Sequence, residues 1–158
     1  MRRVFVATCA VGLVAAGDAP IAYPEGFRAW THVSSGTVGP GHPAAPKYEG
    51  VHAIYANPAA VEGYRTGKWP DGAILVYDQW TAAKAGPHAE GQGERKFIDV
   101  MVRDSRRYAA TDGWGYTEFL WPGRDRAVEI ERNMAKACGA CHAKSAPGGD
   151  HVFTTLRD

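Results

Sequence analysis

The sequence predicts one α+β domain, mainly an antiparallel β-sheet with peripheral helices, in which a C-terminal helix carries a cysteine and histidine motif. A chain of 158 residues, 45% of them hydrophobic, can build one core of ordinary size. The middle of the chain contains short runs of β-branched and aromatic residues with Gly or Pro around them, which is typical of strands. Near the C terminus, a stretch without Gly or Pro is rich in helix formers, so a helix is expected there.

The N-terminal residues differ from the rest of the chain. Two arginines precede the apolar run Val4–Ala16, which is too short to span a bilayer comfortably and is followed by small residues. This pattern is typical of a secretory signal peptide, so we expect residues 1–19 to be removed and residues 20–158 to form the domain. Cleavage would also remove Cys9. A buried first strand or helix is the alternative, and a lipid anchor on Cys9 is disfavoured because this cysteine comes too early in the apolar run.

The predicted strands occupy the central part of the chain. They are Gly50–Tyr55, Gly72–Trp80, Lys96–Val102 and Gly115–Trp121. A short helix is expected between the first two, because Asn57 can cap its start, Pro58 suits its first turn and Gly67 can end it.

The remaining segments carry weaker signals. Tyr23–Trp30 is predicted to be a turn or short helix, and Pro40–Pro46 and Gly86–Gly93 are predicted to be loops. Asp125–Cys138 is the stretch without Gly or Pro, and it is predicted to be a helix that runs into the motif.

The charge of the chain limits its partners. The formal net charge is +1, from 18 Lys and Arg against 17 Asp and Glu, and there is no block of like charges. The sequence therefore lacks the basic patch expected of a protein that binds nucleic acid or anionic lipid. Small molecules or proteins are the expected partners.

The strongest chemical signal is the sequence Cys138-Gly-Ala-Cys141-His142. Two thiols at this spacing can add to the vinyl groups of a porphyrin, and the histidine that follows brings its imidazole to the iron from the same side. Helical spacing also places Cys138 and His142 on one face. The motif predicts haem c, attached covalently through Cys138 and Cys141, with the iron ligated by His142. Export is consistent with this, since c-type cytochromes are assembled outside the bacterial cytoplasm.

Two other uses of the motif stay open. A structural zinc site needs about four nitrogen or sulfur ligands, so histidines such as His151 would have to complete it in the absence of a second cysteine pair. A redox dithiol also uses Cys-Gly-x-Cys, but that motif follows an early strand, whereas this one lies near the end of the chain. Both alternatives are less consistent with the sequence than haem.

The second axial position of the iron is expected to be open. Small electron-transfer cytochromes c place a methionine ligand after the motif, and no methionine follows His142. Met101 or Met134 would have to reach back over the haem, and methionines of this kind more often fill the core. His52 is the other histidine most nearly within a strand. A four-helix cytochrome c′ also leaves one iron face open, but strand-like runs do not suit a helical bundle.

Several stretches resemble the cytochrome P-460 family, and together they span most of the mature chain. They are residues 64–76, 97–105, 113–119 and 138–153. Residues 30–35 and 50–57 look more like its cytochrome c′-beta branch. The resemblance implies a sheet-rich, commonly dimeric, periplasmic haem protein with His142 as the proximal ligand. It further implies that the open face of the iron either binds nitric oxide or oxidises hydroxylamine.

The residues available for proton transfer distinguish these two functions. Hydroxylamine oxidation needs a base, and the family enzymes also carry a lysine cross-linked to the macrocycle. Lys68 is near the corresponding stretch, but Arg65 stands just before Thr-Gly, and arginine is a poor nucleophile because it stays protonated. Asp78, Asp99 and Glu118 interrupt apolar strands and could act as bases if they face the haem, although strand alternation can equally place them toward solvent.

We therefore expect a binder of nitric oxide or a similar small diatomic ligand. Distal candidates are Asp99, Glu118 and Lys68. A hydroxylamine oxidoreductase, and a simple electron carrier with a redox partner protein, are the alternatives.

Overall fold

The structure is a computed structural model that describes residues 19–133, 135–146 and 150–157. Residues 1–18 of the predicted signal peptide lie outside the described residues, and so does Met134. Within the described ranges, no helix is both long enough and apolar enough to cross a membrane.

Six strands of the described chain form one antiparallel sheet, and each strand pairs with the next along the sequence. They are β1 (Thr31–Val38), β2 (Gly50–Ala56), β3 (Ile74–Gly86), β4 (Ala89–Arg103), β5 (Trp114–Leu120) and β6 (Asp125–Arg126). The helices are α1 (Pro58–Thr66), α2 (Val128–Arg132) and α3 (Ala140–Ser145), with 3-10 turns at Phe27–Ala29 and Ala109–Thr111. The predicted α+β fold, mainly an antiparallel sheet with peripheral helices, is confirmed.

The two faces of the sheet differ in chemistry. Residues opposite each other in adjacent strands share a face. We call one face the front face, and it carries Leu75, Tyr77, Asp99, Met101, Tyr116 and Glu118. The back face packs against the N-terminal segment through an apolar cluster that contains Ile21, Phe27, Val76, Ile98, Val100 and Phe119. It also carries the buried acid Asp78. The front face thus combines apolar residues with two carboxylates.

Helix α1 has the predicted ends. The Asn57 side chain accepts a hydrogen bond from the Ala60 N–H, and Pro58 occupies the first turn. Gly67 ends the helix in a left-handed conformation, with φ of 69°, and its N–H bonds to the Gly63 carbonyl. Asn57 also donates from its side-chain nitrogen to the Gly72 carbonyl, so the cap ties α1 to the start of β3.

The loop predicted at Gly86–Gly93 is wrong, because β3 and β4 continue through it as a hairpin. Lys84 pairs with Glu90 and Gly86 pairs with Ala89, beyond the last pairs that β3 makes with β2. Because this stretch is rich in small residues, it shows no alternation of apolar and polar side chains. Backbone pairing between the two strands does not require such an alternation. Strand β1 was not predicted either, since it is a largely polar edge strand.

The helix predicted over Asp125–Cys138 is present only in pieces. Asp125 and Arg126 pair with β5 as strand β6, so α2 begins at Val128. Helix α2 ends at Arg132, and Ala135–Gly139 forms a π-helical turn before α3. Helix propensity favoured one continuous helix, but pairing with β5 takes up the first residues. The C-terminal helix that holds the end of the motif is nevertheless present.

Candidate functional site

The cysteine and histidine motif lies across the junction of the π-helical turn and α3. Cys138 belongs to the π-helical turn, and Cys141 and His142 lie in the first turns of α3. The front-face core is the buried apolar cluster that includes Leu75, Met101 and Tyr116. Cys138 is partly buried and packs against this core, whereas Cys141 is exposed, and neither is in a disulfide. π-Helical backbone within helices is common at functional sites. The motif therefore offers two free thiols in different environments on one short segment.

His142 is held by a hydrogen bond that leaves one ring nitrogen available. Its Nδ1 lies 2.6 Å from the backbone carbonyl oxygen of His151. A carbonyl only accepts, so Nδ1 carries the proton and Nε2 keeps its lone pair. Burial lowers the pKa of His142, which favours this neutral form. A neutral imidazole oriented through its second nitrogen is the usual state of a metal-ligating histidine.

Two aromatic rings confine the His142 side chain. The Tyr116 ring lies 5.0 Å away, centroid to centroid, and the Phe153 ring lies 4.7 Å away on the C-terminal segment. Burial raises the pKa of the Tyr116 phenol, which therefore keeps its proton. The Tyr116 hydroxyl is buried and has no hydrogen-bond partner among the described atoms. A polar group bound beside His142 would satisfy it.

A pair of carboxylates stands beside the motif on the front face. Asp99 and Glu118 are directly opposite each other on β4 and β5. The Tyr48 hydroxyl donates to Asp99 Oδ2 at 2.7 Å, and Lys47 Nζ lies 2.6 Å from Glu118 Oε2. Glu118 is only 4% exposed. Two acids, one phenol and one cation thus form a small polar cluster.

Proton binding by Asp99 is shifted toward neutral pH. Burial, followed by the neighbouring charge of Glu118, raises the pKa of Asp99 to about 7. Burial also raises the pKa of the Cys138 thiol to about 11, and the charge of Asp99 adds to this effect. Cys138 also packs against the front-face core, so the motif and the carboxylate pair lie on the same side of the sheet.

The other candidate acid, Asp78, is not part of this cluster. It lies fully buried on the back face, where Arg95 binds it through two contacts of 2.9 Å. Arg95 is itself stacked over the Trp80 ring at 4.6 Å. The alternation of β3 carries Asp78 to the opposite side from Asp99, so Asp78 acts in the core rather than at the site.

Lys68 and Arg65 are both exposed and lie at or just beyond the end of α1. The lysine that the structure places beside the carboxylates is Lys47, which the sequence reasoning missed together with Tyr48. Both lie in the segment that precedes β2, and Tyr48 is 51 residues from Asp99 in the chain. No local pattern connects residues so far apart.

The candidate second ligands lie on the front face but are engaged elsewhere. Met101 is 7% exposed within the front-face core. His52 stacks on Tyr77 at 4.6 Å, and burial lowers its pKa. Among the described residues, no group of three or more His, Cys, Asp or Glu side chains is arranged to hold a metal ion.

One comparison with known proteins identifies a family. The family model described as Cytochrome P460 matches residues 24–154, a span that includes the motif and both front-face carboxylates. A comparison with curated proteins found no match.

Proposed function

The chain belongs to the cytochrome P460 family, whose members are c-type haem proteins, and we propose that it is an exported haem protein that binds nitric oxide or a similar small diatomic ligand. The residues of the motif fit this cofactor. Cys138 and Cys141 would form the thioether bonds, and His142 would ligate the iron through Nε2. The observation that carries the proposal is the hydrogen bond from His142 Nδ1 to the His151 carbonyl. Because Nδ1 carries the proton, the lone pair of Nε2 is available to bind the iron.

The remaining candidate ligands support an open coordination position. When bound, the haem would supply an iron that can take a small molecule as a further ligand. Met101 is packed in the front-face core, and His52 is stacked on Tyr77. Either side chain would have to leave these contacts to bind the iron, which favours an iron whose second axial position is kept for an external ligand.

Hydroxylamine oxidation is the second candidate, and the carboxylate pair is the observation that favours it. Asp99 can take up a proton near neutral pH, because burial and Glu118 raise its pKa to about 7. Tyr48 donates a hydrogen bond to Asp99, and Lys47 balances the charge of Glu118. This cluster could hold protons released during an oxidation. It ranks second because Lys68, the proposed cross-linking candidate, lies exposed beyond α1.

One set of measurements separates the candidates. Haem should stay with the polypeptide under acidified organic extraction, and the Cys138→Ala/Cys141→Ala protein should lose it. The ferrous protein should bind nitric oxide, with a shift of its absorption spectrum, while multi-turnover oxidation of hydroxylamine with an artificial acceptor stays slow or absent. Rapid turnover that is lost in Glu118→Gln but kept in the exposed control Glu94→Gln would reverse the ranking.

Location and assembly complete the proposal. The basic and apolar N terminus supports export to the periplasm, and the family resemblance supports a homodimer. N-terminal sequencing of protein isolated from the periplasm, and sedimentation analysis of the purified protein, test these two points. Intact residues 1–19 on a cytoplasmic protein, or a monomer at micromolar concentration, would contradict them.

A further inference from the structure

The segment that contacts His142 is held in an unusual backbone conformation. His151 has a φ of 62°, in the left-handed region that residues with a Cβ rarely adopt. His151 is only 7% exposed, so its ring packs inside the protein rather than in solvent. In this conformation the His151 carbonyl oxygen lies 2.6 Å from His142 Nδ1.

A second left-handed residue holds the His151 ring. Asp112, with a φ of 52°, lies with its Oδ2 3.3 Å from His151 Nε2. The Asp112 carbonyl accepts a hydrogen bond from the Arg103 guanidinium, and this group also lies 5.4 Å from the centre of the Trp114 ring. Arg103 and Trp114 are paired residues of β4 and β5. A chain of contacts therefore connects the sheet to His151 and, through its carbonyl, to His142.

We propose that His151 is a positioning residue for the proximal ligand: its left-handed backbone, anchored by its buried ring and Asp112, aims the His151 carbonyl at His142 Nδ1 and so sets the strength of the iron–His142 bond. This inference rests on the proposed function in one respect, that His142 is the iron ligand. Residues that accept a hydrogen bond from a metal-ligating histidine fix its orientation and raise its basicity. A more basic ligand favours ferric over ferrous iron and resists release when another ligand binds opposite.

The backbone conformation contributes more to this arrangement than the contact between His151 and Asp112 does. The Asp112 side chain is 76% exposed, so its attraction to His151 is screened by solvent. The pair orients the ring, while the left-handed φ decides where the carbonyl points. Substitutions that oppose the left-handed region should therefore have larger effects than substitutions of Asp112.

The test compares haem-loaded variants by one spectroscopic readout, the iron–histidine stretching band, and one electrochemical readout, the midpoint potential. His151→Val disfavours the left-handed region, because its side chain is β-branched, and should displace the carbonyl. The iron–histidine stretching band of the ferrous protein, measured by resonance Raman, should move to lower frequency. The midpoint potential should rise by ~59 mV for each tenfold loss of preference for ferric iron, and we expect a change of about tenfold.

Two further variants test the mechanism. Asn tolerates the left-handed region better than other residues with a Cβ, so His151→Asn should keep the carbonyl in place and leave both readouts closer to the wild-type values than His151→Val does. Asp112→Asn should shift them in the same direction as His151→Val, but less. If His151→Val does not fold, His151→Gly keeps the left-handed backbone accessible but lacks the anchored ring, and its band should be broader than that of His151→Asn.

A matched control separates positioning from general strain. Arg124, in the turn before β6, is also left-handed, with a φ of 58°, and its side chain forms a salt bridge with Glu25. Arg124→Val should lower stability and leave the stretching band and the potential unchanged. Equal shifts in Arg124→Val and His151→Val would overturn the inference, as would an unchanged band in His151→Val. An iron–histidine band that persists unchanged in His142→Ala would instead overturn the assignment of His142 as ligand, and the inference with it.

Discussion

Replacing Asp99 with Asn should stabilise the protein near neutral pH and leave its stability unchanged at acid pH. Burial and Glu118 raise the pKa of Asp99 from 3.8 to about 7 in the folded protein. Between these values the folded state keeps a proton that the unfolded state has lost. The stability associated with Asp99 is therefore complete below about 3.8 and falls as the pH rises toward about 7. Asn has no proton to lose and can accept the same Tyr48 hydrogen bond, so the variant avoids this fall.

The size of the effect follows from the pKa difference. The two values, 3.8 and about 7, differ by about three units, and each unit corresponds to ~1.4 kcal/mol, so the upper limit is ~4 kcal/mol. Asp99 is only partly buried, and solvent at the site reduces the energy. We expect Asp99→Asn to be about 2 kcal/mol more stable than wild type at about pH 7.5 and equal to it at about pH 4.

The assay is urea unfolding of the haem-loaded protein at several pH values, followed by circular dichroism. Asp71→Asn is the matched control, because the Ser105 N–H and hydroxyl donate to Asp71 and lower its pKa. That lowered pKa gives stability at neutral pH that is lost on acidification, so Asp71→Asn should change stability with the opposite sign. A constant difference between Asp99→Asn and wild type at every pH, or a less stable variant at neutral pH, would refute the reasoning.

Two more predictions concern the framework of the site. Asn57→Ala should lower the free energy of unfolding by ~1–2 kcal/mol, because the cap of α1 and the bond to Gly72 are lost together; Asn57→Asp, which keeps the cap but not the second bond, should cost less in the same urea titration. Gly63→Ala should lower stability by ~1–3 kcal/mol, since the new Cβ would lie 2.3 Å from the Trp69 ring. The near-ultraviolet circular dichroism of Trp69 should change with it, and an unchanged melting temperature would contradict this packing.

Features that depend only on neighbouring residues can be read from the sequence alone. The motif at Cys138, Cys141 and His142 is a chemical pattern within five positions, so its identity needs no tertiary structure. The caps of α1 act within one helical turn, and they were predicted correctly from Asn57 and Gly67. The central strands were also recognisable, because β-branched and aromatic residues are concentrated in them.

Features that depend on pairing between distant segments required the structure. The hairpin at Lys84 and Glu90 forms because two strands share backbone hydrogen bonds, which any side chain except proline allows. Asp125 joined a strand rather than a helix for the same reason.

The side chains around the motif are also positioned by pairing between distant segments. Sequence could name Asp78 and Asp99 as candidate acids but could not decide which face each occupies, since a shift of one residue in a strand reverses its faces. Only the register of β3, β4 and β5 placed Asp99 beside Glu118 and sent Asp78 to Arg95 on the other side. The chemistry of the motif is therefore visible in the sequence, whereas the side chains that surround it are known only from the fold, because long-range strand pairing sets their distances.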